Sequence, residues 1–559
     1  MNISTPASSQ ETRGSARGGD IPALTGLRFF AALAVVLAHS SFTILQFNPP
    51  SAVTGWMERL GPFGMTLFFV LSGFVIHYNY RYLVTTQGGA GFRTFLWARF
   101  ARLYPLFLLM LGFDILFGGP LYDVVAGDAA ALAIILRALP YYLVFMQSWF
   151  YVPFDNRSLV DVLGGNISLS WSISTEWFFY LAYPLIAWLV LRVRRPVIIL
   201  AVMLVWSLVW GGMASALDAG ALVVDAWAVG HYGAIAGLTA GAAESFIHWL
   251  EYYSPYLRIG EFILGCLTAQ LYLQQRDRAV RAREQAIGMF LLAIGVVSVP
   301  LFIFFTWSPT HRLSLLSSLR DNYALAPSVA LILFSAARYD NSISRLLRGR
   351  RLVALGEASY SIYLLHFMIL TLSSAYVTQA LPATAPYVVY LVVRLVFAVS
   401  LICLFSLGLH AVVEVPSRRS LRGLWSARGA ARPTMAMSVA LMPAIAALVC
   451  VVAQTYHFGE QNAVIAGIRV VSATYGTNCG ATHGNATRAL MYACNSSKTC
   501  DYVVDVTKLG DPAGGCAKDF KVEYACMPGD VPQQITLPGE AGLGSHAVLS
   551  CATGTTPPP

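Results

Sequence analysis

The chain has 559 residues, of which 57% are hydrophobic and only 12% charged, and its mean hydropathy is +0.61. Soluble domains are roughly 45–50% apolar and about 25% charged, so this composition excludes an ordinary soluble protein. The net charge of +9 does not indicate a nucleic-acid partner, because every lysine lies at or after Lys498 and the apolar part carries arginine alone.

The apolar runs are about 20 residues long, the length that crosses ~30 Å of hydrocarbon. Connections rich and poor in arginine alternate strictly along the chain, with 21 arginines in the rich ones and 6 in the poor ones. Because cytoplasmic connections retain positive charge, this pattern predicts eleven spans and a cytoplasmic N-terminus. Two more apolar stretches, 130–150 and 221–247, break the alternation and are interpreted as re-entrant or interfacial segments. The predicted spans lie near 22–45, 62–80, 103–118, 170–191, 196–213, 257–275, 286–305, 322–337, 352–375, 387–413 and 434–456.

The predicted organisation is an all-α polytopic membrane protein with a small extracytoplasmic domain. Residues 1–20, rich in Ser and Gly, form a disordered cytoplasmic N-terminus, and 21–415 form the membrane domain. A basic cytoplasmic linker at 416–433 leads into the eleventh span at 434–456. Because eleven is odd, the polar region 464–553 is placed outside the cytoplasm.

Cysteine usage supports the same placement of the C-terminal region. Three cysteines sit singly in apolar runs, whereas six crowd the polar C-terminal region, a density typical of an oxidising compartment. Six cysteines allow 15 pairings, which the sequence does not resolve. No CxxC pair or histidine partner supports a metal site, and none is predicted. The six are Cys479, Cys494, Cys500, Cys516, Cys526 and Cys551.

The first span carries two ionisable residues, Arg28 and His39, in an otherwise apolar helix. Eleven residues correspond to about three turns, so both side chains project from one face, about 16 Å apart along the axis. Ionisable residues inside a membrane are functional candidates. A lone histidine is more often structural, but the arginine on the same face favours function, with His39 as the catalytic group.

Three more charged residues point to the same region. Arg99 and Arg102 share one helical face at the cytoplasmic mouth of the third span. Simple anchoring explains them when taken alone, but together with Arg28 they form a set suited to binding phosphates. Glu176 lies about two turns into a span that descends from outside, at the depth of His39. A carboxylate there is expected to orient the imidazole and set its basicity.

Other polar residues of the spans are weaker candidates for a pocket. Ser72 lies beside Gly73, where close helix packing is the simpler explanation. For the polar residues of the ninth and tenth spans, a role in helix packing and a place in the pocket are equally supported. These candidates are Tyr360, Ser361, Tyr363, His366 and Arg394.

Five segments, in this order, resemble the membrane-bound acyltransferase-3 family: ALTGLRFFAALAVVLAH, LFFVLSGFVI, ARFARLYP, SWSISTEWFFYLAYPL and LGEASYSIYLLH. The resemblance covers about residues 21–415. It implies an O-acyltransferase of the bacterial cytoplasmic (inner) membrane that binds no cofactor and uses acyl-CoA, usually acetyl-CoA, as its donor. The acceptor would be a carbohydrate, often a sugar hydroxyl of a surface polysaccharide. By the same resemblance His39 is the catalytic centre, and Arg28, Arg99 and Arg102 contact the donor.

The C-terminal region 464–553 is similar instead to the small galactose/rhamnose-binding (SUEL-type) lectin domain, through ATYGTNCG, ACNSSKTC and LGDPAGGCAKDFKVEYAC. The resemblance implies a disulfide-rich α/β fold, with Asp511 and Lys518 at motif positions for sugar contact. The chain departs from the pattern at Thr477 and Ala513, and six cysteines replace eight. A disulfide-stapled domain without a ligand is therefore an equal alternative.

Two other functions remain alternatives to the enzyme. Many spans with buried charge suit a transporter or flippase of a lipid-linked glycan or small molecule, although no inverted repeat is visible. The second alternative is a lectin held by an inert membrane anchor. It leaves four polar residues of the spans without a role: Arg28, His39, Glu176 and Arg394.

Overall fold

The computed structural model describes thirteen stretches of the chain and divides into two compact units. One unit comprises Met1–Ala133, Leu163–Ala216 and Pro255–Ala440, and the other comprises Ile134–Val162, Leu217–Ser254 and Leu441–Pro559. The predicted N-terminus 1–20 and eleventh span 434–456 lie outside the described residues. These are 21–44, 52–117, 129–154, 157–164, 166–237, 244–307, 322–380, 387–426, 467–481, 484–494, 498–509, 511–527 and 532–551.

The described chain up to residue 426 is almost entirely helical. Two short strands, β1 (Pro153–Phe154) and β2 (Arg157–Ser158), pair antiparallel within it. A 3₁₀ turn precedes α5, and π-helical turns follow α8 and α15. The helices are α1 (Pro22–Ile44), α2 (Ala52–Thr86), α3 (Gly88–Phe117), α4 (Ala129–Leu143), α5 (Trp171–Val190), α6 (Pro196–Ala219), α7 (Ala221–Tyr232), α8 (Phe246–His248), α9 (Pro255–Gln275), α10 (Ala282–Trp307), α11 (Ala326–Arg338), α12 (Ser342–Leu347), α13 (Arg350–Glu357), α14 (Ser359–Ala380), α15 (Tyr387–Leu409) and α16 (Val415–Ser426).

Ten of the eleven predicted spans fall among the described residues, and there the predicted number was too high. Seven helices there are long and apolar enough to cross a membrane, or eight if the pair Arg350–Glu357 and Ser359–Ser373, bent by 71°, is one span. One predicted span, α11, has only 13 residues, fewer than the ~20 that cross a bilayer. Segment 130–150 contains most of α4, which has 15 residues, and segment 221–247 contains α7, which has 12 residues. Both helices are also shorter than a membrane span.

Another predicted span, α9, is more polar than the seven apolar helices, and its two charged residues are partnered inside the protein. Arg258 and Glu261 are fully buried and pair at 3.2 Å. Thr66 on α2 donates to the Glu261 carboxylate at 2.6 Å. A helix surrounded by other helices can carry such groups, whereas a lipid-facing helix cannot.

Glycines set the distance between α2 and α9. A Cβ on Gly73 would lie 2.0 Å from the Phe262 carbonyl oxygen, and a Cβ on Gly265 would lie 2.0 Å from the Val70 carbonyl oxygen. Small residues allow this approach in membrane helices. The close packing of α2 and α9 fixes the wall of the bundle that carries Ser72.

The C-terminal domain is strand-rich and has its own apolar core. Strands β3 (Gly467–Tyr475), β5 (Phe520–Met527) and β6 (Pro532–Leu537) form one antiparallel sheet in the order β3-β5-β6. Strands β4 (Thr499–Asp505) and β7 (Leu543–Ser550) pair antiparallel in a second. Two helices, α17 (Thr487–Cys494) and α18 (Val506–Leu509), complete the domain. An all-α membrane part with a small α/β domain is therefore confirmed.

The six cysteines of this domain pair within it, which is the result expected for an oxidising compartment. The structure resolves the connectivity that the sequence left open: Cys479–Cys516, Cys494–Cys500 and Cys526–Cys551.

Candidate active site

The α1 helix places Arg28 and His39 as the sequence predicts, along one helix that packs against α2 and α14. Arg28 is half-buried and lines two adjoining cavities. His39 lies about three turns further along, with its Nδ1 3.1 Å from the Val35 carbonyl oxygen.

A second histidine lies against His39. The Nε2 of His366 on α14 is 3.0 Å from the Nδ1 of His39, although the two residues are 327 positions apart in the chain. The ring centroids are 5.0 Å apart. His366 is fully buried, and its Nδ1 lies 2.7 Å from the Tyr363 carbonyl oxygen. The structure thus joins two histidines that the sequence analysis had treated separately.

Glu176 occupies a different position from the one predicted. Its carboxylate accepts a hydrogen bond from the Ser72 hydroxyl at 2.5 Å and another from Tyr180. It also lies within electrostatic range of Arg28 and Arg99. The sequence analysis placed Glu176 beside His39. In the structure His39 instead contacts the imidazole of His366, and the Glu176 carboxylate lies among the arginines.

The larger cavity, of about 680 Å³, has a strongly cationic wall. Among the described residues, six arginines line it, and Glu357 supplies the one carboxylate in the wall. Such a surface suits a polyanion, because guanidinium groups bind phosphate bidentately. The lining residues are Thr25, Arg28, Val75, Asn79, Tyr80, Arg99, Arg102, Glu357, His410, Val415, Arg418, Arg419 and Arg422.

Arg99 shows how these guanidinium groups are held. Its Nη2 donates to the Tyr80 hydroxyl at 2.7 Å, and its guanidinium carbon lies 4.8 Å from the centre of the same ring. Its Nε is buried and finds no hydrogen-bond partner among the described residues. Buried donors are normally satisfied, so this atom is available to a ligand.

A smaller cavity of about 90 Å³ continues from the same arginines toward the middle of the bundle. Arg28, Arg99 and Arg102 line both cavities. Beyond them the wall is less charged and includes the first turns of α14, but His39 and His366 are not among its lining residues. The residues that line only the smaller cavity include Ser72, Ser172, Glu176, Tyr180, Tyr360 and Tyr363.

The other predicted residues divide into two groups. Tyr360 lines the smaller cavity, and its hydroxyl donates to the Leu103 carbonyl oxygen at 2.7 Å. Ser361 and Arg394 are buried but lie outside the walls of both cavities described above. The Ser361 hydroxyl donates to the Glu414 carboxylate, an interaction between helices.

Sequence reasoning missed three members of the cationic wall. Arg418, Arg419 and Arg422 lie on α16, in the region interpreted as a basic linker. Their i, i+1 and i+4 spacing places Arg418 and Arg422 on one helical face. That spacing was a usable signal, but the positive-inside interpretation had already accounted for the charge.

In the C-terminal domain, Lys518 and Asp511 contact each other. The Lys518 ammonium lies 2.7 Å from the Asp511 carboxylate and donates to the Cys516 carbonyl oxygen at 2.9 Å. Lys518 is buried and Asp511 is exposed. The hydrogen bond from Lys518 and one from the Ala513 N–H lower the pKa of Asp511.

Within the described part of the chain, no group of three or more His, Cys, Asp or Glu side chains is arranged to hold a metal ion.

Comparison with known proteins gives the same assignment for the membrane domain. Residues 21–405 match the acyltransferase-3 family, described as an acyltransferase domain. Acyltransferase MdmB of Streptomyces mycarofaciens is 28% identical over 417 residues, which cover 72% of this chain and 92% of that protein. Peptidoglycan O-acetyltransferase OatA of Listeria monocytogenes is 24% identical, and O-acetyltransferase OatA of Staphylococcus aureus is 21% identical.

Each of the two OatA alignments covers 66% of this chain, and the chain spans about half the length of those relatives, 51% and 54% respectively. No solved structure matches the chain.

Proposed function

The chain belongs to the acyltransferase-3 family, and we propose that this membrane O-acyltransferase moves an acyl group from cytoplasmic acyl-CoA to a hydroxyl of an extracytoplasmic or lipid-linked carbohydrate. The transferred group would be acetyl in the usual case. One observation carries the proposal: Arg28, Arg99 and Arg102 line both the arginine-rich larger cavity and the smaller cavity, whose wall also holds polar side chains.

The donor end of the proposal rests on charge. Coenzyme A carries a diphosphate and a separate phosphate at one end and the reactive thioester at the other. The six arginines of the larger cavity match the phosphates, and the unpartnered Nε of Arg99 offers one more donor. Arg28 and His39 are about 16 Å apart along α1, so a thin arm is needed to carry the thioester inward from the phosphates.

The chemical step requires a base and a path for one proton. We assign His39 as the base that removes the proton of the acceptor hydroxyl. At the same time the hydroxyl oxygen of the acceptor bonds to the thioester carbonyl carbon. When the carbonyl re-forms, the carbon–sulfur bond breaks and the thiolate leaves. The same imidazole returns the proton to that sulfur. The products are an ester and free coenzyme A, and no oxidant or reductant is needed.

We assign Glu176 a role in donor binding, through its interaction with the arginines. A carboxylate near Arg28 and Arg99 offsets part of their mutual repulsion, and the hydroxyls of Ser72 and Tyr180 fix its orientation. Its removal is expected to disturb donor binding through the arginines, with His39 left in place.

The acceptor side is supported by the names of the relatives and by the cysteines. Peptidoglycan O-acetyltransferases act on a polymer outside the cytoplasmic membrane, and the disulfides of residues 467–551 suit the same side. We therefore place the N-terminus in the cytoplasm and the C-terminal domain outside. We propose that this disulfide-rich domain holds the glycan there, the role that its resemblance to lectin domains implies.

The test is label transfer from radiolabelled acetyl-CoA to envelope glycans in membrane vesicles that contain the full chain. Wild type should transfer label, and His39→Ala should lose about 10²–10⁴-fold in turnover at equal expression, the usual contribution of a general base. The matched control is His231→Ala, an exposed histidine on α7. Transport of a glycan without label transfer would contradict the enzyme assignment and favour a flippase.

A further inference from the structure

The contact between His39 and His366 determines where the protons of both rings lie. A carbonyl oxygen only accepts hydrogen bonds, so the Nδ1 of His366, 2.7 Å from the Tyr363 oxygen, carries its proton. A neutral imidazole has one N–H, and the other nitrogen is an acceptor. The Nε2 of a neutral His366 is therefore a bare acceptor that faces His39.

The same inventory applies to His39. Its Nδ1 faces the Val35 carbonyl oxygen at 3.1 Å and the bare Nε2 of His366 at 3.0 Å. Both neighbours are acceptors, so the proton of neutral His39 resides on Nδ1. The Nε2 of His39 is then the unprotonated, basic nitrogen.

We propose that His366 is a positioning residue that selects this tautomer of His39 and stabilises its protonated form. The proposal rests on the function proposed above, in which His39 is the base. When the acceptor's proton arrives at Nε2, His39 becomes a cation whose Nδ1–H still donates to His366. His366 gains and loses no proton in the cycle.

A neutral partner is the arrangement that burial favours. Carboxylates orient histidines at many catalytic sites, but an ionised carboxylate is costly to bury without a counter-charge. His366 is fully buried. A neutral imidazole supplies the acceptor without that cost and leaves Glu176 to the arginines.

The surroundings hold His366 in the required orientation. The carbonyl oxygen that binds the Nδ1 of His366 belongs to Tyr363, one turn earlier on the same helix. That turn is fixed to the 3₁₀ turn before α5, because the Tyr363 hydroxyl donates to the Leu169 carbonyl oxygen at 2.7 Å and accepts from Ser172 at 2.9 Å. A rotated His366 ring would present carbon atoms in place of both nitrogens.

Two substitutions separate this role from simple packing. His366→Leu removes the acceptor, whereas His366→Gln keeps an amide oxygen that accepts from His39 and an N–H₂ that donates to the Tyr363 oxygen. Full-length variants are assayed in membrane vesicles with radiolabelled acetyl-CoA, and kcat and the donor KM are measured separately. Thermal unfolding of each variant checks that it is folded.

We expect His366→Leu to lower kcat about 10²-fold, the lower end of a general base's contribution, with an unchanged donor KM. The kcat of His366→Gln should be at least tenfold higher than that of His366→Leu. Equal losses in both variants, or near-normal kcat in His366→Leu, would overturn the positioning role. Either result leaves the proposed function intact if His39→Ala is still inactive, whereas an active His39→Ala would refute that function itself.

Discussion

Replacement of Arg99 by Ala should weaken the binding of acyl-CoA through loss of a phosphate contact. Arg99 is buried, lines both cavities and has an unpartnered Nε. A hydrogen bond to a charged group contributes about 1.5–3 kcal/mol. At about 1.4 kcal/mol per factor of ten, the donor KM should rise about 10- to 150-fold. Relief of repulsion with Arg28 and Arg102 reduces the loss, so the lower part of this range is expected.

The assay compares acetyl-CoA with acetyl-pantetheine, which carries the thioester but no phosphate. Arg99→Ala should raise the KM for acetyl-CoA and change that for acetyl-pantetheine little. Arg99→Lys should rescue poorly, because an ammonium cannot form a fork on phosphate. The matched control is Arg345→Ala, since Arg345 is exposed, pairs with Asp340 at 3.6 Å and lies outside both cavities. Equal KM increases for both donors would refute the phosphate assignment.

Three further outcomes are expected. Gly265→Ala should destabilise the detergent-solubilised chain by about 1–3 kcal/mol through overpacking of α2 against α9, seen as a lower Tm, while Gly112→Ala, with open space around it, should not. Because the pKa of Asp511 is lowered in the folded domain, its ion pair with Lys518 stabilises at neutral pH and is lost as pH falls below about 4. Hydrogen exchange around Lys518, corrected for intrinsic rates, should therefore rise from pH 6 to pH 3, and Asp511→Asn should abolish that pH dependence. A reporter active only outside the cytoplasm should be active when fused after residue 459 and silent when fused after Arg428; the reverse would refute the predicted orientation.

The sequence determined the class of the protein and the layout of one helix. Long apolar runs and sparse charge are sufficient to predict a membrane protein, because no soluble fold can bury so many apolar residues. The common face of Arg28 and His39 follows from helical periodicity alone. The prediction of a disulfide-rich domain follows from cysteine density, which needs no coordinates.

Only the tertiary structure decided the partners. His39 meets His366, 327 residues away, and Glu176 meets Ser72 and the arginines. The polar α9 is surrounded by helices, and the six cysteines adopt one of 15 pairings. Periodicity gives the face of a helix, but which faces meet depends on packing among all the helices. That packing is fixed by contacts distant in sequence, such as the approach of Gly73 to Phe262.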